Sequence, residues 1–164
     1  MATKVTIRPA AEADTAAILG IIGPFIAAGE TYALPRDWSD EEVLAYWFLP
    51  PHAVFVAEVA EEVLGTFYIQ ANQKGGGAHI ANAAFATAGH ATGRGIARAM
   101  GRFAIAEAKA LGFQAMQFNF VITTNEPAVH LWTSLGFETL CRLPGAFHHP
   151  RLGFVDALVM FQTL

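Results

Sequence analysis

Along the chain the spacing of apolar and polar residues changes several times, and each change predicts an element. Lys4–Ala10 (KVTIRPA) alternates with the period of two expected of a half-buried strand. Apolar residues then dominate from Ala11 to about Ala28, which predicts a largely buried helix, broken or bent near Gly23-Pro24. Ser39–Phe48 opens on a capping box, Ser39 with Glu42 three residues later, and Pro50-Pro51 ends that second helix. Ala53–Ala71 holds two β-rich runs hinged at Ala60-Glu61-Glu62, the pattern of a hairpin. The segment QKGGGAH turns the chain into a further strand over Ala78–Thr87. After Gly95 the period becomes helical, with Ile96, Met100, Phe103, Ala104, Ala108 and Leu111 on one face and Gly112 as the stop.

Gln114–Ile122 reads as a strand, and Asn125 as the cap of a helix with Pro127 in its first turn and Gly136 at its end. ETLCRL and GFVDALVMFQT are the last strands, joined by a loop, PGAFHHPR. The order β-α-α-β-β-β-α-β-α-β-β predicts an α+β, or mixed α/β, sheet domain and not a regular doubly wound one. No linker or repeat divides the 164 residues, so a single domain over 1–164 is expected.

Composition narrows the function classes. Hydrophobic residues make up 54% of the chain and charged residues only 15%, ample for a packed core. The most apolar segment, Ala16 to Gly29, is too short for a membrane span and carries Pro24, so no membrane association is expected. The opening MATKVTIRPA lacks the apolar run of a signal peptide. Cys141 is the sole cysteine, which makes an intrachain disulfide impossible, a cytoplasmic location the expected one and a small buried filler the expected role. A net charge of −4 argues against nucleic acid and for a small-molecule partner.

The run GHATGRGIARAM (Gly89–Met100) places two glycines and an arginine at a helix N-terminus. A P-loop would continue Gly-Lys-Ser/Thr, and a dinucleotide fingerprint would place glycine where Arg98 stands; neither fits. Two readings of the loop itself remain: an anion cradle of unsatisfied N–H groups, or a plain glycine connection before a helix.

His90-Ala91-Thr92-Gly93-Arg94-Gly95, followed about thirty residues later by Asn125-Glu126-Pro127-Ala128-Val129-His130-Leu131-Trp132-Thr133-Ser134-Leu135-Gly136-Phe137, closely resembles the GNAT acetyltransferase superfamily. That family carries Q/R-x-x-G-x-G/A and N-x-x-A-x-x-L-Y/W-x-x-x-G-F at these places. The resemblance covers essentially the whole chain. It implies a twisted, mostly antiparallel sheet splayed between the fourth and fifth strands and flanked by helices. It also implies acetyl-CoA as co-substrate, with the pyrophosphate on the N–H groups from about His90 to Ala97, including those of Gly93, Arg94, Gly95 and Ile96. Pantetheine amides would pair with backbone near Phe85 and Thr87, and Asn125 would hold the pantetheine arm.

Two departures bear on the chemistry. His90 replaces the usual Gln or Arg, which leaves the backbone cradle intact. Trp132 stands where many members carry a tyrosine that protonates the departing thiolate. An indole N–H donates a hydrogen bond but cannot act as an acid near neutral pH. A thiolate with a pKa of about 8.5 leaves tolerably without one.

Many relatives also place a carboxylate on the fourth strand as base, and HIANAAFA has none. Asn82 there and Asn119 in QAMQFNFV are amides that need partners if buried. Either each bonds nearby backbone, or the pair orients the acceptor amine and a proton-relaying water. His79 is a minor alternative, on the other face of a regular strand from Asn82. Together with Asn125 and GETYALP, these amides also resemble acetyltransferases of proline-like imino acids, such as azetidine-2-carboxylate. Glu30 and Tyr32 are then either the wall of the acceptor pocket or an exposed turn with one packed aromatic.

His148-His149 lacks companions at metal-ligand spacing, so no metal is expected; the pair is placed near the acceptor mouth or in the contact of a homodimer. Arg94, Arg98 and Arg102 form a stripe that is either a solvated face or an approach to a coenzyme phosphate. The expected activity is direct acetyl transfer to the amine of a small amino or imino acid or related metabolite. Acetylation of a protein N-terminus or lysine is the alternative enzyme reading. A non-catalytic coenzyme A-binding sensor or interaction module is the alternative from another class.

Overall fold

The computed structural model describes residues 4–164. Its strands are β1 (Thr6–Pro9), β2 (Ala53–Val59), β3 (Glu62–Ala71), β4 (Ile80–Thr87), β5 (Ala115–Ile122), β6 (Glu138–His149) and β7 (Gly153–Thr163). Its helices are α1 (Thr15–Ala28), α2 (Asp40–Trp47), α3 (Ile96–Ala110) and α4 (Glu126–Ser134). The strands form one sheet in the order β1-β2-β3-β4-β5-β7-β6. Every neighbouring pair is antiparallel except β4 with β5. The mixed α/β fold expected from the order of elements is the fold observed.

β3 shows how the helices are divided between the two faces, because successive side chains point to opposite sides. A Cβ on Gly65 would lie 2.8 Å from Met100 Sδ, and the ring of Phe67 packs 6.0 Å from that of Phe103, so one face of β3 meets α3. The intervening Thr66 accepts from Trp47 Nε1 at 3.1 Å, and Tyr68 packs edge-on to Trp47 at 5.0 Å, so the other face meets α2. Trp47, Phe67, Ile18, Ile22 and Met100 are fully buried in this two-sided core. Burial of each such side chain contributes about 1.5–3 kcal/mol.

Three local expectations are corrected. The apolar segment is not broken at Gly23-Pro24: α1 runs unbroken from Thr15 to Ala28 with Pro24 inside it. Pro24 stands on the exposed face, so the helix loses one hydrogen bond there without losing the apolar seam that anchors it. The supposed loop PGAFHHPR is mostly strand, because β6 continues through Pro144 and Gly145 to His149. β6 is an edge strand with a register shift between Leu143 and Phe147, where proline and glycine are tolerated. Edge placement also leaves Cys141 exposed instead of buried.

β4 and β5 are paired only at Ile80–Ala115 and Ala81–Met116, after which they part. β5 carries a register shift between Phe118 and Val121 against β7, one extra residue that brackets Asn119 and Phe120.

Candidate active site

The gap between the parted strands opens into a cavity of about 450 Å³. Thr92 and Ala97 line it at the glycine loop, and Asn82 and Asn119 line it at the base of the splay. Between them lie Phe85, Thr87, Asn125 and Trp132 from the expected coenzyme side, and Tyr32 from the expected acceptor side. One continuous space therefore joins residues drawn from β4, β5, α3, α4 and the segment after α1.

At the loop end, Gly93 and Gly95 adopt φ of 81° and 80°, the left-handed region that glycine enters without strain. A Cβ on either would meet nothing within 4 Å, so the fold leaves open space in front of this backbone. Gly95 is the N-cap of α3, and no side chain caps the helix. Within α3 the first N–H with a backbone partner is that of Ala99, which donates to Gly95 O at 3.0 Å. The preceding N–H groups of Ile96, Ala97 and Arg98 face outward at the positive end of a 15-residue helix, an arrangement suited to phosphate.

The side chains around this cradle have other attachments. His90 is exposed, with Nε2 3.3 Å from Glu62 Oε1, and it is not part of the cavity wall. Arg98 donates to Ser134 Oγ at 3.0 Å, which ties the start of α3 to α4. Arg94 is exposed. Asn125 makes no side-chain bond to the cap of the helix it heads, and it lines the cavity. Trp132 is 7% exposed, and its ring lies 4.8 Å from those of both Phe85 and Phe118.

Tyr32 crosses from the end of α1 to donate its hydroxyl to the carbonyl of Phe85. Burial raises its pKa, which keeps the phenol neutral. Glu30 does not reach the cavity wall; it pairs with Arg151 Nε at 2.9 Å, which links the segment after α1 to the turn between β6 and β7. His149 is buried at that turn, its Nδ1 accepting from Arg151 N at 3.1 Å and Leu152 N at 3.2 Å. His148 stacks on Phe154 with ring centroids 4.6 Å apart. His79 precedes β4, is exposed and lies outside the cavity wall.

The two central amides differ in their attachments. Asn82 accepts from the N–H of its neighbour Ala83 at 2.7 Å, the local backbone bond weighed as one alternative. Asn119 instead joins a chain of amides: Gln117 Nε2 donates to its Oδ1 at 3.0 Å, and its Nδ2 donates to Asn72 Oδ1 at 2.6 Å.

Sequence reasoning passed over Asn72, Tyr46 and Tyr68. Tyr46 and Tyr68 line the cavity with Tyr32, and these are all the tyrosines of the chain. Their hydroxyls lie 3.3 Å apart, and His52 stacks on Tyr68 at 3.8 Å. Burial, followed by the contact with Tyr46, raises the pKa of Tyr68. In the sequence both tyrosines sit in apolar runs, with nothing local to single them out.

Among the described residues the cavity wall contains no carboxylate, imidazole or basic side chain. No group of three or more His, Cys, Asp and Glu is arranged to hold a metal ion among those residues. None of their helices is long and apolar enough to cross a membrane.

Residues 25–137 match the model of the acetyltransferase (GNAT) family. The chain belongs to that family. It is similar, at 41% identity over 98% of both chains and a TM-score of 0.93, to a GCN5-related N-acetyltransferase from Kribbella flavida. A ribosomal-protein-alanine N-acetyltransferase from Brucella melitensis shares the fold at 24% identity, covering 97% of this chain and 99% of its own, with a TM-score of 0.83. So does a phosphinothricin acetyltransferase from Sinorhizobium meliloti in complex with AcCoA, at 21% identity over 100% and 89% of the two chains, with a TM-score of 0.85. The protein is a GNAT N-acetyltransferase, and the parting of β4 from β5 is where its cavity opens.

Proposed function

We propose that this N-acetyltransferase moves the acetyl group of acetyl-CoA directly to the amine of a small amino or imino acid or related metabolite. The observation that carries the reading is the cavity at the base of the splay. The whole cavity is about 450 Å³ and must also take the pantetheine arm, so the part left beside Tyr32, Tyr46 and Tyr68 suits a compact acceptor better than an extended peptide. The Sinorhizobium structure, which holds AcCoA on the same fold, supports the choice of donor.

The open backbone from Gly93 to Ala97 fits a pyrophosphate, and Asn125 and the β4 backbone at Phe85 and Thr87 fit the amides of a pantetheine arm. Bound there, acetyl-CoA supplies a thioester carbonyl for attack by a neutral amine. Asn82 and Asn119 orient that amine: Asn82 retains its Nδ2 hydrogens for the cavity, and Asn119 retains one N–H and one carbonyl lone pair. With no basic side chain in the wall, the acceptor reacts in its neutral form and its proton leaves through water. The phenols of Tyr32 and Tyr68 stay protonated and serve as hydrogen-bond partners, since burial raises the pKa of each. Cys141 is exposed on edge strand β6 and is not among the cavity residues, so an acetylated-cysteine route has no support.

Asn119→Ala tests the reading through acceptor-dependent thiol release. Loss of release with acetyl-CoA affinity retained is expected. Release at the wild-type rate contradicts the role of the amide.

A further inference from the structure

Asn119 lies where β5 bulges away from its neighbours, and a primary amide at such a place can rotate and exchange its donor for its acceptor. Two side chains oppose that exchange, since it keeps its hydrogen bonds only if both of them turn as well. Gln117, two residues earlier on β5, donates to Asn119 Oδ1 at 3.0 Å, and Asn72 accepts from Asn119 Nδ2 at 2.6 Å. Asn72 is itself firmly mounted. It follows the last residue of β3, and its backbone N–H donates to Ile80 O at 2.7 Å, one residue beyond the Ala71–Ala81 pair of the β3–β4 ladder. The Asn72–Asn119 bond therefore reaches from the β3–β4 ladder to β5, close to where β4 and β5 part after Ala81 and Met116.

We infer that Asn72 is a positioning residue: it fixes the amide of Asn119 with its carbonyl toward Gln117 and its N–H₂ toward β3. The cavity then always meets the same remaining N–H and lone pair, and an acceptor that needs both is selected. Asn72 touches neither acceptor nor coenzyme in this account; it acts through Asn119. The inference rests on the assignment of Asn119 to the acceptor proposed above.

Asn72→Ala removes the tether, and Asn72→Asp keeps an acceptor in place while removing the donor. Asp at this position supports only the donor direction seen here, Asn119 to residue 72. With the fastest acceptor from a panel of L-azetidine-2-carboxylate, L-proline, L-methionine and an alanine-terminated peptide, Asn72→Ala is expected to lower kcat/KM about tenfold, the loss of one neutral hydrogen bond. The KM for acetyl-CoA stays at the wild-type value, and Asn72→Asp restores activity to within about threefold. Asn72→Ala combined with Asn119→Ala is expected to be no slower than Asn119→Ala alone, because the two act as one unit.

The side-chain amide resonances of Asn119, assigned by their loss in Asn119→Asp, give a readout independent of turnover. They move toward free-amide positions in Asn72→Ala and stay away from them in Asn72→Asp, whose carboxylate still accepts the bond. A wild-type rate for Asn119→Ala removes the acceptor assignment and this inference with it. A slow Asn119→Ala beside an unaffected Asn72→Ala, additive losses in the double variant, or Asn119 resonances indifferent to Asn72→Ala overturn the inference alone.

Discussion

Tyr32 donates its hydroxyl to the carbonyl of Phe85, 53 residues away and on the strand that borders the splay. The same carbonyl is one that a pantetheine amide is proposed to use. Removing the hydroxyl frees the carbonyl while leaving the ring against Trp47, where the centroids are 6.4 Å apart. Tyr32→Phe is therefore expected to tighten acetyl-CoA binding about threefold to tenfold, the worth of a modest hydrogen bond that no longer competes. Calorimetric titration with acetyl-CoA reads this directly. Weaker binding would mean that the hydroxyl assists the coenzyme and does not compete with it.

Gly95 caps α3 at a φ of 80°, and a β-branched residue there strains the backbone and projects into the open space before the loop. Gly112 has a φ of 90° and equally open surroundings, but it lies at the far end of α3. Gly95→Val and Gly112→Val are expected to lower the thermal midpoint by similar amounts, roughly 2–8 °C. Only Gly95→Val weakens acetyl-CoA binding, by more than about tenfold if one or more phosphate contacts are blocked. Equal affinity in the two variants would move the pyrophosphate away from this loop.

The absence of a basic side chain from the cavity wall leads to a simple pH profile. Acceptor kcat/KM is expected to rise with pH until it levels at the ammonium pKa of the acceptor itself, because only the neutral amine attacks. Two acceptors of different basicity should level at different pH values. A common rising limb near pH ~6.5 for both would point to an imidazole acting as base.

Outside the site, Asp14 accepts from both terminal nitrogens of Arg8, at 2.7 and 2.9 Å, and from Ala11 N at 2.7 Å. The hydrogen bonds from Arg8 hold its carboxyl below the ordinary value, against the opposing effect of burial. A folded-state pKa below the unfolded value of about 3.9 stabilises the fold above that pH, and the stabilisation is lost as pH falls through the lowered value. Asp14→Asn is expected to lower the thermal midpoint at neutral pH by roughly 5 °C and to flatten the fall in stability below pH ~4. An unchanged acid limb would place the acid sensitivity elsewhere.

The order and type of the main elements were legible because their signals are local. The capping box at Ser39 and Glu42 is formed as expected, and the hinge at Ala60 and Glu61 is a two-residue turn with both φ positive. The glycine loop was legible because a positive φ and an exposed helix start are encoded within a few residues. What failed was tertiary in origin. Pro144 and Gly145 signal a loop, yet an edge strand with a bulge accommodates both. Cys141 has the composition of a core filler and lies exposed because the sheet ends at β6. Glu30 pairs with a residue 121 positions away, a partner that no local pattern announces. Asn72 and the paired phenols of Tyr46 and Tyr68 went unseen for the same reason: their meaning depends on which strands lie beside them.

An isotope competition shows where the acetyl group lands. The protein is incubated with acetyl-CoA carrying ¹³C in the acetyl group, beside an equimolar mixture of L-azetidine-2-carboxylate, L-proline, L-methionine and an alanine-terminated peptide. Mass spectrometry of every component, the protein included, then locates the label. Label on the small amines, with the peptide and the protein's own lysines unlabelled, is the predicted result. Label confined to the peptide, or coenzyme bound with no acetyl group transferred, would contradict the account.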